Sequence, residues 1–290
     1  MRDGLTSSVA SVGGPAPFVK WAGGKSRLTS LITERLRISN SQRRYFEPFV
    51  GAGAVFFRMR ACHSRLVCRI SDLNPELVLT YRVVRDDVET LLERLIRHEA
   101  AHGEDHYYAV RAAECHSALD RAARFIYLNR TCYNGLYRVN RKGQFNVPMG
   151  RYANPSIVQR QRLLAASAAL ADTAIEEEDF EISLEGVGEG DLVYLDPPYD
   201  PLSPTSDFTA YTPTGFGRVA QARLAKVFES LAARGAHVVL SNSDTPYVRS
   251  LYEGMRPAPG IDRVTVARAI NSKGGRRQGV GEVLIYSREA

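Results

Sequence analysis

The chain has 290 residues, a length that predicts one large or two modest domains at roughly 150 residues per domain. Hydrophobic residues make up 44% of it and charged residues 24%, and these globular proportions exclude collagen, wholesale disorder and a disulfide-stapled miniprotein. Its 38 lysines and arginines exceed its 32 aspartates and glutamates by six, so the net charge is mildly basic.

The sequence predicts neither a membrane span nor a secretory signal. No apolar run approaches the roughly 20 residues that span a bilayer, so we expect no membrane association. Residues 1–17 are small and polar, without the apolar stretch of a secretory signal, and we interpret them as a flexible tail. The cysteines have no C-x-x-C spacing, which favours reduced cytosolic thiols over a zinc site or a disulfide framework. They are Cys62, Cys68, Cys115 and Cys132.

Strand and helix patterns alternate along the chain. Residues 44–49 and 66–71 are predicted strands, each followed by a helix. A longer helical stretch is predicted from about 86 to 128. A segment rich in Gly, Asn and Arg follows to about 154, and then a helix near 156–170.

The alternation resumes beyond residue 190. Buried strands are predicted at Leu192–Leu195 and 237–241, with an amphipathic helix at 218–234 between them. Two closing strands are predicted at 264–270 and 283–286, around the turn-rich residues 271–281.

This order of elements predicts an α/β fold with a mostly parallel, doubly wound sheet. The simplest layout is one α/β domain that is split in sequence into residues 18–85 and 166–290. A mainly helical, basic insertion at 86–165 separates the two parts.

Basic charge is concentrated in one segment. Residues 121–171 contain nine basic and no acidic residues, so this segment carries +9 and the rest of the chain sums to 6 − 9 = −3. A basic surface on a slightly acidic body is typical of a polyanion binder, and a solvated helix face is the plainer alternative. The nine are Arg121, Arg124, Arg130, Arg138, Arg141, Lys142, Arg151, Arg160 and Arg162.

A glycine turn follows the first predicted strand. Gly51 and Gly53 lie between that strand and a helix, where a bare backbone lets a ligand approach closely. A dinucleotide fingerprint needs a small residue where this chain has Phe56, so the turn is a poor pyrophosphate cradle. Asp72, about 20 residues on, can accept hydrogen bonds from a ribose diol. A nucleoside ligand without phosphates, of which S-adenosylmethionine is the obvious one, fits both facts; an ordinary tight turn is the alternative.

Two other patterns are weaker. Gly24-Lys25-Ser26 imitates the end of a phosphate-binding loop, but Val19 stands where that loop needs glycine. Trp21 and Lys25 could instead hold the methionine end of a cofactor, or Trp21 could be core. The H-E-x-x-H pattern at 98–102 is followed at once by Gly103 and has no third ligand at a recognised spacing, so we expect no metal site.

The sequence Asp196-Pro197-Pro198-Tyr199 follows the apolar strand Leu192–Leu195. A carboxylate at the carboxyl end of a strand in an open α/β sheet faces the ligand crevice. Two prolines restrict the backbone so that its carbonyls are fixed, and the tyrosine ring completes a pocket. A chance loop sequence is the alternative, which the position after a strand makes unattractive.

Residues 129–152 combine arginine, asparagine and tyrosine with apolar residues and contain no acid. Lys142-Gly143 could form the turn of a hairpin. Such a composition suits phosphate contacts, hydrogen bonds to base edges and stacking.

With these motifs together, the chain resembles the Dam family of DNA adenine-N6 methyltransferases, the GATC-type members of the D12 class. The resemblance runs from about residue 18 to 289, in blocks that keep the family order. The blocks are 18–25 (FVKWAGGK), 46–57, 71–74 (SDLN), 129–152, 191–199, 208–211 (FTAY), 240–245 (LSNSDT) and 268–286. The resemblance implies a Rossmann-like methyltransferase sheet and a helical recognition domain that carries a β-hairpin.

The family's functional residues have counterparts here. Those expected around S-adenosylmethionine are Trp21, Lys25, Phe49, Asp72, Phe180 and Asp196. Those expected to read GATC are Lys20, Leu136, Arg138, Pro148 and Tyr152, with Tyr133 as an intercalating ring and Asn134 and Arg151 as phosphate contacts. Tyr137, between Leu136 and Arg138, and the N-terminal tail are departures from the family pattern.

The implied chemistry is methyl transfer to the N6 atom of an adenine flipped out of duplex DNA. Asp196 and the carbonyl of Pro197 would each accept one N6–H, and Tyr199 would stack on the base. We expect a cytoplasmic enzyme of a prokaryotic or phage-infected cell, with double-stranded DNA as its partner and no obligate protein partner. The alternatives are a cytosine-N4 methyltransferase, disfavoured by Asp196 where serine is commoner, a catalytically silent DNA-binding relative, and an RNA or protein-glutamine methyltransferase.

Overall fold

The computed structural model describes residues 13–25, 27–38, 44–201, 216–266 and 280–288. Within them the strands are β1 Arg44–Glu47, β2 Val67–Asp72, β3 Ala174–Glu177, β4 Leu192–Leu195, β5 His237–Ser243, β6 Gly260–Val266 and β7 Val280–Tyr286. The α-helices are α1 Thr29–Arg35, α2 Ala54–Cys62, α3 Pro75–Asp86, α4 Val88–Ala100, α5 Glu104–Ala112, α6 Ala118–Thr131, α7 Arg160–Leu170, α8 Phe180–Ser183, α9 Arg218–Ala233 and α10 Pro246–Tyr252.

All seven described strands form one sheet, in the order β3-β2-β1-β4-β5-β7-β6. The pairs are parallel except that β7 runs antiparallel to both β5 and β6. Strand order reverses between β1 and β4, where Tyr45 pairs with Cys68 on one side and Leu192 on the other. In an open α/β sheet a ligand crevice lies at such a reversal, beyond the carboxyl ends of the strands. The predicted doubly wound sheet is confirmed.

Both faces of the sheet are buried, because successive strand residues point to opposite faces. In β4, Tyr194 packs with the cluster formed by α1–α7, and Val193 and Leu195 pack with the cluster formed by α8–α10. Helices α4–α6 share the first cluster with α1–α3, so the helical insertion has no separate core. The domain boundaries proposed at 86 and 165 stay predictions, since the buried cluster is continuous across both.

The sequence prediction needs correction in several places. The helical stretch predicted over 86–128 consists of three helices, α4, α5 and α6. The helix is interrupted at Gly103 and again before Ser117, whose side chain caps α6. Strand β3 was not predicted, because its residues AIEE are charged and half exposed. The predicted strand 264–270 is β6, four residues earlier; residues 267–279, the FTAY block at 208–211 and residues 1–12 lie outside the described residues.

A hairpin occupies residues 132–150, as expected. Cys132 and Met149 form an antiparallel bridge, and so do Val139 and Phe145 nearer the tip. The tip is a tight turn in which the Gln144 carbonyl accepts from the Asn140 amide at 2.8 Å, and Gly143 has φ +77°. Among the described helices, none combines the length and the apolar character needed to cross a bilayer.

Candidate active site and nucleic-acid interface

The turn after β1 is tightly packed against neighbouring rings because two of its residues have no side chain. Gly51 has φ +48° and Gly53 has φ +70°, conformations that favour glycine. A Cβ on Gly51 would lie 2.8 Å from Cδ1 of Trp21, and one on Gly53 would lie 2.7 Å from the Tyr81 hydroxyl. That hydroxyl donates to the Gly51 carbonyl at 3.0 Å and fixes the turn. Trp21 therefore lies directly against the glycine backbone.

Asp72, at the end of β2, borders the same turn. Its Oδ2 accepts the Gly51 amide at 3.1 Å, and its Oδ1 accepts the Asn74 amide at 3.0 Å. The two carboxylate oxygens together have about four acceptor sites, and the Leu73 amide also interacts with them, so acceptor capacity remains for another donor. Burial raises the pKa of Asp72 to about 6, and the backbone N–H groups oppose that rise. This carboxylate can thus accept from two neighbouring hydroxyls.

Aromatic rings line the β4 side of the crevice. Phe49 stacks on Phe180 with ring centroids 5.5 Å apart, and Phe216 meets Phe49 edge-on at 5.6 Å. Phe180 begins α8, which Asp179 caps. Arg223 pairs with Asp179 at 3.0 Å and lies over the Phe180 ring, so this wall is held from α9.

Asp196 lies where β4 ends, in contact with the segment before α1. Nζ of Lys25 lies 2.9 Å from its Oδ1, so the two side chains form an ion pair. Lys25 is 6% exposed and also donates to the Gly23 carbonyl at 2.7 Å. Burial raises the pKa of Asp196, the ammonium of Lys25 opposes the rise, and the charge of Glu282 adds to it.

A buried polar network, which sequence reasoning missed, holds the loop after Asp196. Gln221 of α9 donates to the Pro198 carbonyl at 2.9 Å and accepts from Asn242 of β5 at 2.9 Å. Asn242 in turn accepts from the Asp200 amide at 3.3 Å, and Thr245 donates to the Asp200 carboxylate at 2.8 Å. The L-S-N-S-D-T block of the sequence was the available signal, because it ends β5 at the same sheet edge.

This network occupies the Pro198 carbonyl but not that of Pro197. In the part of the chain that the structure describes, the Pro197 carbonyl accepts no hydrogen bond. Tyr199 follows, with its ring 4.6 Å from Nζ of Lys25 and its hydroxyl donating to Glu282 at 3.1 Å. A carboxylate, a backbone acceptor and an aromatic ring therefore lie in one short, fixed loop.

Glu47, the last residue of β1, is a second buried acid that the sequence did not single out. It is 2% exposed and accepts from the Tyr45 hydroxyl at 2.6 Å. Burial raises the pKa of Glu47 to about 8, with a further rise from the nearby charge of Asp196. Glu47 is therefore mostly protonated at neutral pH, which limits the negative charge beside Asp196.

Lys20 joins the crevice to the hairpin. Its Nζ lies 4.1 Å from the centroid of the Tyr152 ring, and its side chain packs on Gly135, where a Cβ would lie 2.5 Å from the Cβ of Lys20. Asn129 of α6, 2% exposed, holds the backbone of Lys20 with one bond from its amide nitrogen and one to its oxygen, both 2.7 Å. Trp21 comes next and stacks on Tyr137 at 5.6 Å.

The residues expected to contact DNA lie along one hairpin and its flanks. Arg138 is exposed, and its Nε donates to the Asn146 side chain across the hairpin at 2.7 Å, which orients the guanidinium. The amide of Tyr133 bonds the Pro148 carbonyl at 2.9 Å, so these two lie side by side. The exposed members of the set are Tyr133, Asn134, Arg138, Pro148 and Arg151, and the half-buried ones are Lys20, Leu136 and Tyr152.

The nine basic residues of 121–171 divide into two groups. Five are bonded to groups outside the hairpin: Arg121 pairs with Glu76 at 2.5 Å, Arg160 pairs with Glu89 at 2.8 Å, Arg124 and Arg130 donate to backbone carbonyls, and Arg162 donates to the Gln159 side chain at 2.8 Å. Arg138, Arg141, Lys142 and Arg151 are exposed on or next to the hairpin. The basic surface is therefore smaller than the count of charges implied and is centred on the hairpin.

The histidines of the 98–102 pattern pack around one ring. Nδ1 of His98 lies 3.1 Å from Nε2 of His106, and Nδ1 of His102 lies 2.9 Å from the Tyr127 hydroxyl. Burial lowers the pKa of His98 to about 4. Among the described residues, no group of three or more His, Cys, Asp or Glu side chains is arranged to hold a metal ion.

The sequence was compared with known proteins. The family profile described as D12 class N6 adenine-specific DNA methyltransferase matches residues 21–269. The type II methyltransferase M.MjaIII of Methanocaldococcus jannaschii is 44% identical over 93% of this chain and 98% of its own. M1.LlaDCHI of Lactococcus lactis subsp. cremoris is 38% identical over 93% and 94%. The DNA adenine methylase of Escherichia coli K12 is 36% identical over 92% and 93%.

Proposed function

The chain belongs to the D12 class of N6 adenine-specific DNA methyltransferases, and we propose that it transfers a methyl group from S-adenosylmethionine to a flipped-out adenine of GATC in double-stranded DNA. The observation that carries the proposal is the crevice between β1 and β4. There Asp196 and Tyr199 lie in a fixed loop beside the glycine turn and the Lys25 ammonium. Such an activity belongs in the cytoplasm of a prokaryotic or phage-infected cell.

The crevice fits an adenosine-and-methionine ligand. Trp21 lies directly against the bare backbone of Gly51, and the Asp72 carboxylate is the proposed acceptor for the ribose hydroxyls. Phe49 and Phe180 supply apolar surface for an adenine ring, and Lys25 supplies positive charge near the methionine carboxylate. When bound, S-adenosylmethionine supplies an electrophilic methyl group on a sulfonium.

The chain's own task is to make adenine N6 nucleophilic. The N6 lone pair is delocalised into the ring, so the nitrogen must become more tetrahedral before it reacts. The carboxylate of Asp196 accepts one N6–H and the Pro197 carbonyl accepts the other, which draws the lone pair out of the ring plane. Both acceptors are held before the substrate arrives, so they also stabilise the positive charge that develops on N6.

Tyr199 and Lys25 serve this geometry from two sides. Extruding a base from the duplex costs roughly a few kcal/mol, and the Tyr199 ring offers a stacking surface in return. Lys25 keeps Asp196 in place, and its charge opposes the rise that burial causes in the pKa of that acid. Lys25 therefore favours the ionised form of Asp196, which is the form that accepts a hydrogen bond from N6–H.

The hairpin is the proposed reading element. A guanidinium donates two hydrogen bonds to guanine O6 and N7, a pattern that no other base accepts in the major groove. Arg138 is exposed and oriented by Asn146, which suits that role, and Lys20 lies beside the hairpin where a second base edge would come. Arg151 and Asn134 are exposed beside it and are the proposed phosphate contacts.

The proposal is tested by treating unmethylated genomic DNA with the purified protein and S-adenosylmethionine, then calling modified bases by position. We expect N6-methyladenine at GATC and nowhere else at comparable level. Methylation of adenine in another sequence would support the proposed reaction and contradict the proposed GATC specificity. Formation of N4-methylcytosine would contradict adenine as the target base. DNA that is bound at nanomolar protein concentration but stays unmodified would indicate a catalytically silent DNA-binding relative.

A further inference from the structure

The hydroxyl of Tyr199 has a partner 83 residues later in the chain. Its oxygen donates to Oε2 of Glu282 at 3.1 Å, and Glu282 is 8% exposed. Glu282 lies in β7 with Ser243 of β5 on one side and Val264 of β6 on the other. A buried carboxylate is costly unless it is hydrogen-bonded. Its one hydrogen bond to another side chain among the described residues goes to the tyrosine of the proposed catalytic loop.

The Tyr199 ring is thereby held at two places. Glu282 fixes the hydroxyl end, and Nζ of Lys25 lies 4.6 Å from the ring centroid while it also contacts Asp196. Its backbone is fixed as well, since the carbonyl before it is bonded by Gln221. A ring that must stack on an extruded base works best when its orientation is set beforehand, because a small misplacement of reacting groups lowers the rate strongly.

We propose that Glu282 is a positioning residue for methyl transfer: it holds Tyr199 in the orientation that stacks on the target base. The inference rests on the proposed function and adds a residue from the last described strand to the site. Glu282 touches neither substrate nor cofactor in this account and acts through the tyrosine.

The charge of Glu282 has a second, separable effect on Asp196. Ionisable groups face Asp196 from every element around it: Lys25, Glu47, Tyr194, Tyr199 and Glu282. Burial is the largest cause of the raised pKa of Asp196, Lys25 opposes it, and Glu282 adds to it. Glu47 is mostly protonated near neutral pH. Removing the charge of Glu282 should therefore lower the pKa of Asp196.

The test compares Glu282→Ala, Glu282→Gln and Tyr199→Phe with the wild-type protein. Single-turnover transfer from tritiated S-adenosylmethionine to a duplex bearing the mapped site gives the rate, and 2-aminopurine at the target position reports stacking of the extruded base. Glu282→Ala and Tyr199→Phe should each slow transfer roughly tenfold, as the loss of a hydrogen bond to a charged group predicts. Both should raise 2-aminopurine fluorescence and leave the affinities for DNA and cofactor unchanged.

Two further results belong to a positioning role. The double variant Glu282→Ala, Tyr199→Phe should be no slower than either single one, because both remove the same bond. Glu282→Gln should recover most of the rate, since its amide oxygen can accept from the hydroxyl, with the acid limb of the rate moved to lower pH. The control Tyr127→Phe removes the bond between the buried Tyr127 phenol of α6 and His102, which follows α4, and should lose stability without losing rate.

The outcomes separate cleanly. If Glu282→Ala slows transfer while Tyr199→Phe stays at the wild-type rate, or if the two effects add, Glu282 serves only the packing of the sheet and the inference fails. If Glu282→Ala does not fold, Tyr199→Phe removes the same bond from the other side and carries the same expectation. If the wild-type protein methylates no DNA, the proposed function fails first.

Discussion

Gly51→Ala tests the glycine turn as a cofactor cradle. The added Cβ would lie 2.8 Å from Cδ1 of Trp21, closer than a carbon side chain approaches an aromatic carbon, so the indole must move. Trp21 stacks on Tyr137 with ring centroids 5.6 Å apart, so the indole has little freedom to move without disturbing the hairpin. The left-handed backbone at φ +48° adds a strain of about 1–2 kcal/mol for any residue with a Cβ.

Gly186→Ala is the matched control. Gly186 also has a left-handed backbone, with φ +74°, but a Cβ there would meet nothing within 4 Å. Both variants should therefore lose about 1–2 kcal/mol of unfolding free energy from strain alone. Only Gly51→Ala should also weaken S-adenosylmethionine binding. An overpacked site costs about 1–3 kcal/mol, which corresponds to roughly a tenfold to hundredfold loss.

Isothermal calorimetry with the cofactor, beside urea melts of both variants, gives the two quantities. Equal cofactor affinity in Gly51→Ala and wild type would refute the cradle, whatever happens to stability. A loss of affinity in Gly186→Ala as large as that in Gly51→Ala would show that backbone strain, and not the approach of Trp21, is responsible.

Three further predictions follow from charge. Cofactor affinity should fall as the pH drops through about 6, because the pKa of Asp72 is raised to about 6 and only the ionised carboxylate accepts from both ribose hydroxyls; Asp72→Asn should flatten this dependence in calorimetric titrations from pH 8 to 5. Glu47 has a pKa of about 8 when folded against 4.5 as its ordinary value, so the folded state holds a proton that the unfolded state releases, and stability falls as the pH rises from 4.5 through 8. In urea melts, Glu47→Gln should match the stability of the wild type near pH 5 and exceed it at pH 9 by up to roughly 5 kcal/mol, at about 1.4 kcal/mol per pKa unit. The same stability difference between variant and wild type at both pH values would contradict this prediction. Arg138→Ala should relax discrimination at one base pair of GATC by about 1–3 kcal/mol, whereas Arg151→Ala should weaken binding to all sequences and flatten the salt dependence by about one unit of slope; identical behaviour on single-base variants would leave only a basic surface.

Much of the fold could be predicted from local sequence patterns. The apolar runs in β4 and β5 were visible in the sequence because buried parallel strands are rich in apolar residues. The short strands β1 and β2 and the glycine turn at Gly51 could also be predicted. Strand β3 was not, since an edge strand with charged residues has no such run. The break before α6 could have been found from Ser117 and Asp120, a helix-capping pair three residues apart.

The contacts that could not be predicted from the sequence join residues that are far apart in the chain. Glu282 lies 83 residues from Tyr199, and Gln221 lies 23 residues from Pro198, so no spacing rule connects them. The same holds for charge: Arg121 looked like part of a basic surface, yet its partner Glu76 lies in α3, outside the acid-free segment. Motifs at strand ends could be predicted because the carboxyl ends of the parallel strands meet at one edge of the sheet, whereas the contacts that fix those motifs depend on the packed sheet.

The central claim is that Asp196 activates adenine N6, and one measurement tests it most directly. Single-turnover methyl transfer to duplex DNA is compared for wild type and Asp196→Ala, with DNA affinity measured by fluorescence anisotropy on the same preparations. Loss of a preorganised acceptor should slow transfer by at least roughly a hundredfold. DNA affinity should change little, because we propose that binding rests on the hairpin and its phosphate contacts. Transfer by Asp196→Ala at close to the wild-type rate would contradict the account.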